Sequence, residues 1–281
     1  MSIDETLKVG VVNTLRVARD TDFGLYLEAK DAKEVLLPNA YAYDTLQIDD
    51  IIDVFLYTDS EDRIVATTLR PKAMLGEYGY FKVVDYKSYG AFIDWGLPKD
   101  LLVPLGDQKE YFNIGKWYIL RVCLDEQTGR LYGTQKIGKW LSTDMTGIYP
   151  AQAVKMFIIA KTPLGYKVIV DGKFEGMLFD SEIFEPLNIG ETKDGTIKNV
   201  RKDGKLDCLL ASTKITTEDS SQKVLDELSI NNGVMPFTYK SDAKEIYETF
   251  GMSKKSFKKA LTELIDDDKI ILTEKEIALK L

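Results

Sequence analysis

One short pattern occurs three times in this chain, at a fixed distance from a second anchor. Phe23-Gly24-Leu25-Tyr26-Leu27, Tyr89-Gly90-Ala91-Phe92-Ile93 and Leu164-Gly165-Tyr166-Lys167-Val168 each place a glycine 24 residues before an isoleucine, at Ile48, Ile114 and Ile189. Between glycine and isoleucine lies an apolar run: Val35-Leu36-Leu37-Pro38, Leu101-Leu102-Val103-Pro104 and Gly176-Met177-Leu178-Phe179. Self-similarity of this kind marks a repeated structural unit and has to be read before any single element.

Each copy continues with two runs of strand character. They are Ile51 to Tyr57 and Arg63 to Leu69, Trp117 to Leu124 and Arg130 to Gln135, and Thr196 to Val200 and Leu206 to Ala211. The connections carry turn residues: Asp59-Ser60-Glu61-Asp62, Gln127-Thr128-Gly129 and Lys202-Asp203-Gly204. Five short strands in roughly 65 residues suit a small closed barrel, and closure removes the sheet edges that would otherwise need protection. A short helical turn is expected between the third and fourth strands, at Tyr41 to Leu46 in the first copy and Ser181 to Phe184 in the third.

Tyr89-Gly90-Ala91-Phe92 is the most informative copy. On an uninterrupted strand, residues three apart face opposite sides. A bulge at Gly90 shifts the alternation by one and brings both rings to one face. Paired exposed rings seat unpaired bases, because every base has a flat π face. The competing reading places both rings in the core.

Composition narrows the functions. With 44% hydrophobic residues, the 281-residue chain can build packed cores. Net charge is −8, which argues against coating duplex nucleic acid by charge alone. The excess acid sits in residues 1–72, with 8 basic and 14 acidic side chains. Histidine is absent, removing the commonest general base and metal ligand together. Cys123 and Cys208 lie far apart, in no metal-ligand spacing, and read as buried reduced thiols. The sequence carries no cofactor motif. Its start, Met1 to Glu5, is acidic without an apolar core, and no apolar run spans a bilayer, so the expected location is cytoplasmic and the membrane is not an expected partner. Asp49-Asp50 and Asp266-Asp267-Asp268 could be imagined around Mg²⁺ in a nuclease, but clustered loop acids are more often solvated, and the chain reads as a non-enzyme.

After residue 212 the apolar period becomes helical. Ser212 to Ser221 reads as a linker and Gln222 to Ile230 as a helix ended by Asn231-Asn232-Gly233. A second helix begins near Ser241 and carries Ala243, Ile246, Tyr247 and Phe250 on one face. A third, Lys254 to Asp266, is capped by Ser253 and has the stripe Phe257, Leu261, Leu264 and Ile265. Strand-like pieces follow at Lys269 to Thr273 and Glu276 to Leu279. Three helices and a β-ribbon resemble a winged-helix domain. Its third helix presents Lys254, Lys255, Lys258 and Lys259, either to a nucleic-acid groove or simply to solvent. The linker from Lys136 to Ala151 contains Trp140 and Leu141, which could pin neighbouring barrels together.

Each barrel resembles the OB-fold domain repeated in bacterial ribosomal protein S-one. The second copy carries the closest motif match through Tyr89-Gly90-Ala91-Phe92, Phe112-Asn113-Ile114-Gly115 and Asp125 to Leu131. The resemblance implies single-stranded RNA binding on one barrel face, through Tyr89, Phe92 and Arg130 with nearby Lys82 and Lys87. It carries over to Phe23, Tyr26 and Arg63 in the first copy, and to Lys167, Phe179 and Lys205 in the third. The family's histidine is replaced by Pro38 and Pro104, and by Phe179. Three such barrels and the tail together resemble the conserved virulence factor B family. The expected fold is mainly β and multidomain: three tandem five-stranded OB-fold barrels (1–70, 73–139 and 150–214) followed by a small α+β winged-helix domain (222–281). The expected function is non-catalytic RNA binding in post-transcriptional regulation, with no cofactor. DNA-binding transcription regulation through the winged helix is the alternative.

Overall fold

In this computed structural model, which describes residues 3–183, 185–211 and 217–280, each repeat forms a five-stranded, mainly antiparallel sheet curled on itself. The chain divides into two compact units, residues 1–141 and 142–281.

The first unit holds two barrels. The first consists of β1 (Val12–Thr21), β2 (Gly24–Glu28), β3 (Glu34–Pro38), β4 (Ile51–Thr58) and β5 (Ile64–Thr67). It closes in the order β1-β2-β3-β5-β4, through a parallel β3–β5 contact. The second consists of β6 (Tyr78–Lys87), β7 (Gly90–Asp94), β8 (Leu101–Pro104), β9 (Trp117–Leu124) and β10 (Leu131–Thr134). Its order is β10-β9-β6-β7-β8. Here β8 and β10 meet by side-chain packing: a methyl placed on Gly133 of β10 would lie 3.0 Å from Val103 Cγ2 of β8. The inward residues alternate along each strand, as Phe81 and Val83, Ala91 and Ile93, and Leu120 and Val122 do. Phe55, Tyr57 and Val65 of the first barrel join the second barrel's core, with Phe55 edge-on to Trp95 at 5.8 Å between ring centroids.

The second unit holds a closed barrel of β11 (Ala153–Thr162), β12 (Gly165–Val170), β13 (Phe174–Phe179), β14 (Thr192–Val200) and β15 (Leu206–Leu210). The winged-helix region follows: α1 (Thr217–Ile230), β16 (Val234–Met235), α2 (Ala243–Phe250), α3 (Lys254–Asp266), β17 (Ile270–Leu272) and β18 (Ile277–Leu279). Its sheet runs β16-β18-β17 beneath a core centred on Phe237, Phe250 and Phe257.

The repeated glycine has a different role from the one expected of it. Each barrel has a bulge on its first strand, at Ala18, Val84 or Ile159, six residues before the glycine. The glycine itself stands where the neighbouring strand's carbonyl comes closest. A Cβ at Gly24, Gly90 or Gly165 would sit 2.2, 2.4 or 1.9 Å from the oxygen of Leu37, Val103 or Leu178. Real Cβ atoms do not approach backbone that closely, so only glycine fits the ladder there.

Other expectations are also corrected. The 3-10 turns after the third strands come earlier than expected, at Asn39–Tyr41 and Asp180–Glu182, and Phe184 lies outside the described residues. Helix α1 begins at Thr217, so the last part of the expected linker is helical, while Ser212 to Thr216 lie outside the described residues. Ser241 is not the cap of α2. Its hydroxyl accepts from the Thr238 amide, and the Asp242 carbonyl takes the first helical bond, from Ile246. The side chain of Ala243 is outside the described residues. Ser253 does cap α3, accepting from the Ser256 amide at 3.0 Å.

Both cysteines are free and buried. Burial pushes the Cys208 thiol up to about 12 and raises Cys123 as well, against a hydrogen bond from Arg121. Because the thiolate is the reactive form, a disulfide reagent at pH 8 should modify neither cysteine in the folded protein. Both should react at least ~100-fold faster in denaturant. Fast labelling of Cys208 without unfolding would contradict its burial.

Candidate nucleic-acid interface

The outer face of β6, β7 and β8 carries the site. Cross-strand partners share a face, and the ladder sets Asp85 opposite Phe92, Lys82 opposite Asp94 and Lys87 opposite Gly90. On the other side Gly90 faces Pro104 and Phe92 faces Leu102. Tyr89 is not on the strand. It occupies the hairpin turn before β7, where alternation does not govern it, and its ring meets Phe92 edge-on at 5.9 Å. Tyr89 is 57% exposed and Phe92 half-buried. The two rings are therefore side by side and open to solvent, and the all-core reading of this pair does not hold.

These rings border a cleft of about 760 Å³ between the first and second barrels, which also reaches Tyr57, Lys99, Arg130 and Tyr132. Its electrostatics are mixed. Arg130 and Lys99 are its cations, and Asp62, Asp100, Asp107, Asp125 and Glu126 its acids. Arg130 is ion-paired with Asp62 of the β4–β5 loop. Lys99 Nζ donates to the Asp59 carbonyl at 2.6 Å and lies 4.0 Å from Asp62. Burial lowers the Lys99 ammonium despite the attraction of Asp62, and burial raises Asp100, helped by Asp94 and Asp85. The Asp125 carboxyl is held low by the Thr128 hydroxyl and the Gln127 amide. Lys87 pairs with Asp85 at 2.7 Å, which raises it, so of the two lysines expected on this face only Lys82 is free of such a bond among the described residues.

The corresponding positions of the first barrel are filled differently. Phe23, in the hairpin turn, is 79% exposed. The face of Tyr26 is covered by the Arg19 guanidinium at 3.6 Å, itself bound to Glu34. Arg63 is held by Asp59 at 2.7 Å and Glu61 at 3.0 Å within its own loop. In the third barrel, Phe179 has Arg201 5.7 Å above its ring, and Arg201 is bound to Asp207. Lys167 and Lys205 share Glu175, at 4.0 and 3.0 Å. Sequence reasoning missed Arg19 and Arg201. Arg19 neighbours Tyr26 only through the register set by the bulge at Ala18, which no local pattern reveals.

On α3, Phe257, Ala260, Leu261 and Leu264 are buried, and Lys255, Lys258 and Lys259 are exposed without an ion pair among the described residues. Lys254 donates to the Lys240 carbonyl. The acidic runs are locally neutralised: Asp49 pairs with Arg16, Asp267 with Lys269, and Asp268 with Lys280. Trp140 lies under the Arg121 guanidinium of the second barrel, at 4.2 Å.

Comparison with known proteins agrees with this architecture. The family model described as S1 domain matches residues 9–69, on the first barrel, and the model described as CvfB-like winged helix domain matches residues 222–279. Conserved virulence factor B of Staphylococcus saprophyticus is 26% identical over 98% of this chain and 98% of its own. Over nearly its whole length the chain is similar to conserved virulence factor B proteins. YitL of Bacillus subtilis is 28% identical over 95% of this chain and 92% of its own. A solved multidomain protein with nucleic acid binding domains from Streptococcus pneumoniae is 23% identical, covers 97% of this chain and 98% of its own, and has a TM-score of 0.42. The two matched domain models are nucleic-acid-binding types and not catalytic families. Among the described residues no helix is long and apolar enough to cross a membrane.

Proposed function

We propose that this protein binds single-stranded RNA without catalysis and acts in post-transcriptional regulation, virulence genes being the class of target suggested by its relatives' name. The observation that carries this reading is the exposed ring pair Tyr89 and Phe92, at 5.9 Å, beside Arg130 in one cleft. Splayed bases stack on such rings, whereas paired bases in a duplex keep their faces covered. Lys82 and Arg130 meet the backbone, and the acid-rich surroundings keep the number of phosphate contacts small.

The second reading is duplex DNA binding through the exposed lysines of α3, favoured by Lys255, Lys258 and Lys259 having no ion pair among the described residues. Helix α3 contains no arginine to grip a guanine edge with two bonds. Titration of single-stranded RNA, single-stranded DNA and duplexes across salt concentrations separates the two. Single-stranded RNA should bind at least about tenfold tighter than duplex DNA of equal length, with a log–log salt slope near −2, the value for about three phosphates on a single strand. Tighter binding of the duplex would transfer the function to the winged helix.

A further inference from the structure

We propose that the cleft between the first two barrels is a one-nucleotide site whose phosphate position is occupied, in the free protein, by the carboxylate of Asp62. The inference rests on the RNA-binding reading above and adds a residue and a barrel to it. Arg130 belongs to the second barrel, yet its partner Asp62 comes from the β4–β5 loop of the first. Lys99 is drawn to the same loop, donating to the Asp59 carbonyl at 2.6 Å with Asp62 4.0 Å away. Two cations therefore converge on one carboxylate at the edge of the cleft that also holds Tyr89 and Phe92. A carboxylate held by a guanidinium is the protein's own counterpart of a phosphate, since both present two oxygens to the same fork of N–H donors.

The cleft suits a single nucleotide. Its volume of about 760 Å³ lies in the range of small-ligand sites. Asp100, Asp107, Asp125 and Glu126 line the rest of it and repel further phosphates. They are also acceptors for the amino and imino edges of a base. One phosphate can enter, where Asp62 now sits, and the base goes to the rings. The displacement is inexpensive, because the side chains of Arg130 and Asp62 are 55% and 41% exposed, and exposed ion pairs contribute little to stability. The loop tolerates the change: Asp62 has φ = 63°, a left-handed conformation that asparagine and glycine adopt readily.

The test is a set of RNA titrations with the full chain and a short single-stranded oligonucleotide. Asp62→Asn and Asp62→Gly should each raise affinity about threefold to fivefold, the worth of an exposed ion pair removed from competition. The salt slope should stay near that of the parent, because the same phosphate meets Arg130 once Asp62 is displaced. Both gains in affinity should vanish in an Arg130→Gln background. If the Asp62 variants change nothing while Tyr89→Ala with Phe92→Ala still weakens binding, the competition is overturned and the RNA site stands. If the gain persists without Arg130, it comes from net charge alone and the proposal is equally overturned. If neither the ring nor the Asp62 variants alter binding, the RNA reading of this cleft falls with it.

Discussion

Replacing Tyr89 and Phe92 together with alanine should weaken single-stranded RNA binding at least about tenfold. Removal of one base–aromatic stack costs about 1–3 kcal/mol, so two stacks would account for more than that even if only one is fully used. The fold should survive, because Tyr89 lies in a turn with 57% of its surface in solvent and Phe92 points outward from β7. Tyr26→Ala in the first barrel is the informative comparison. Its ring face is already covered by Arg19, so its loss should change affinity less than about twofold. Fluorescence anisotropy with a labelled oligonucleotide measures both, and thermal melting confirms that the variants are folded. Unchanged affinity in the double variant would remove this face from the RNA site.

Replacing Gly165 with alanine should unfold the third barrel or nearly so. The added Cβ would stand 1.9 Å from the Leu178 carbonyl oxygen and 2.9 Å from the Phe179 Cα, both backbone atoms that cannot turn aside. The residue also has φ = 147°, a region alanine hardly populates, at a cost of roughly 1–3 kcal/mol by itself. Relieving the overlap adds a further ~1–3 kcal/mol by shifting β13 away from β12. The sum reaches a large share of the 5–15 kcal/mol that hold an ordinary domain together. Gly138→Ala, with open space around its Cβ position and no positive φ, should be neutral. Circular dichroism melts and limited proteolysis would show the contrast. A Gly165→Ala protein melting within about 2 °C of the parent would mean that the carbonyl is not where the ladder places it.

The threefold glycine was visible in the sequence, but its reason was not. Read locally, Gly90 suggested a bulge that would turn two rings to one side. The rings do come together, but by another route: Tyr89 is freed by the hairpin turn, and the bulge is on the facing strand at Val84. A bulge depends on what pairs with what, and the glycine requirement depends on a carbonyl 13 residues further along the chain, on the neighbouring strand. The helical tail was more legible. The bounds of α3 and its Ser253 cap follow from side-chain spacing and a hydroxyl three residues before an amide, both local matters. The start of α1 and the two-residue strand β16 were not, because Thr217 to Ser221 has a loop-like composition and Val234–Met235 is too short to show a period.

The sequence alone determined the repeat, the strand-rich barrels and the winged helix, because apolar periodicity, turn residues and caps act over a few neighbouring positions. It also nominated the aromatic positions, since a repeat exposes equivalent residues by alignment with itself. Only the tertiary structure decided which of those positions are open. Arg19 lies over Tyr26, Glu175 holds Lys167 and Lys205, and Asp62 reaches from one barrel to Arg130 of the next. Arg19 over Tyr26 and Glu175 on Lys167 depend on the register of neighbouring strands, while Glu175 on Lys205 and Asp62 on Arg130 join residues distant in the chain and depend on barrel closure and packing.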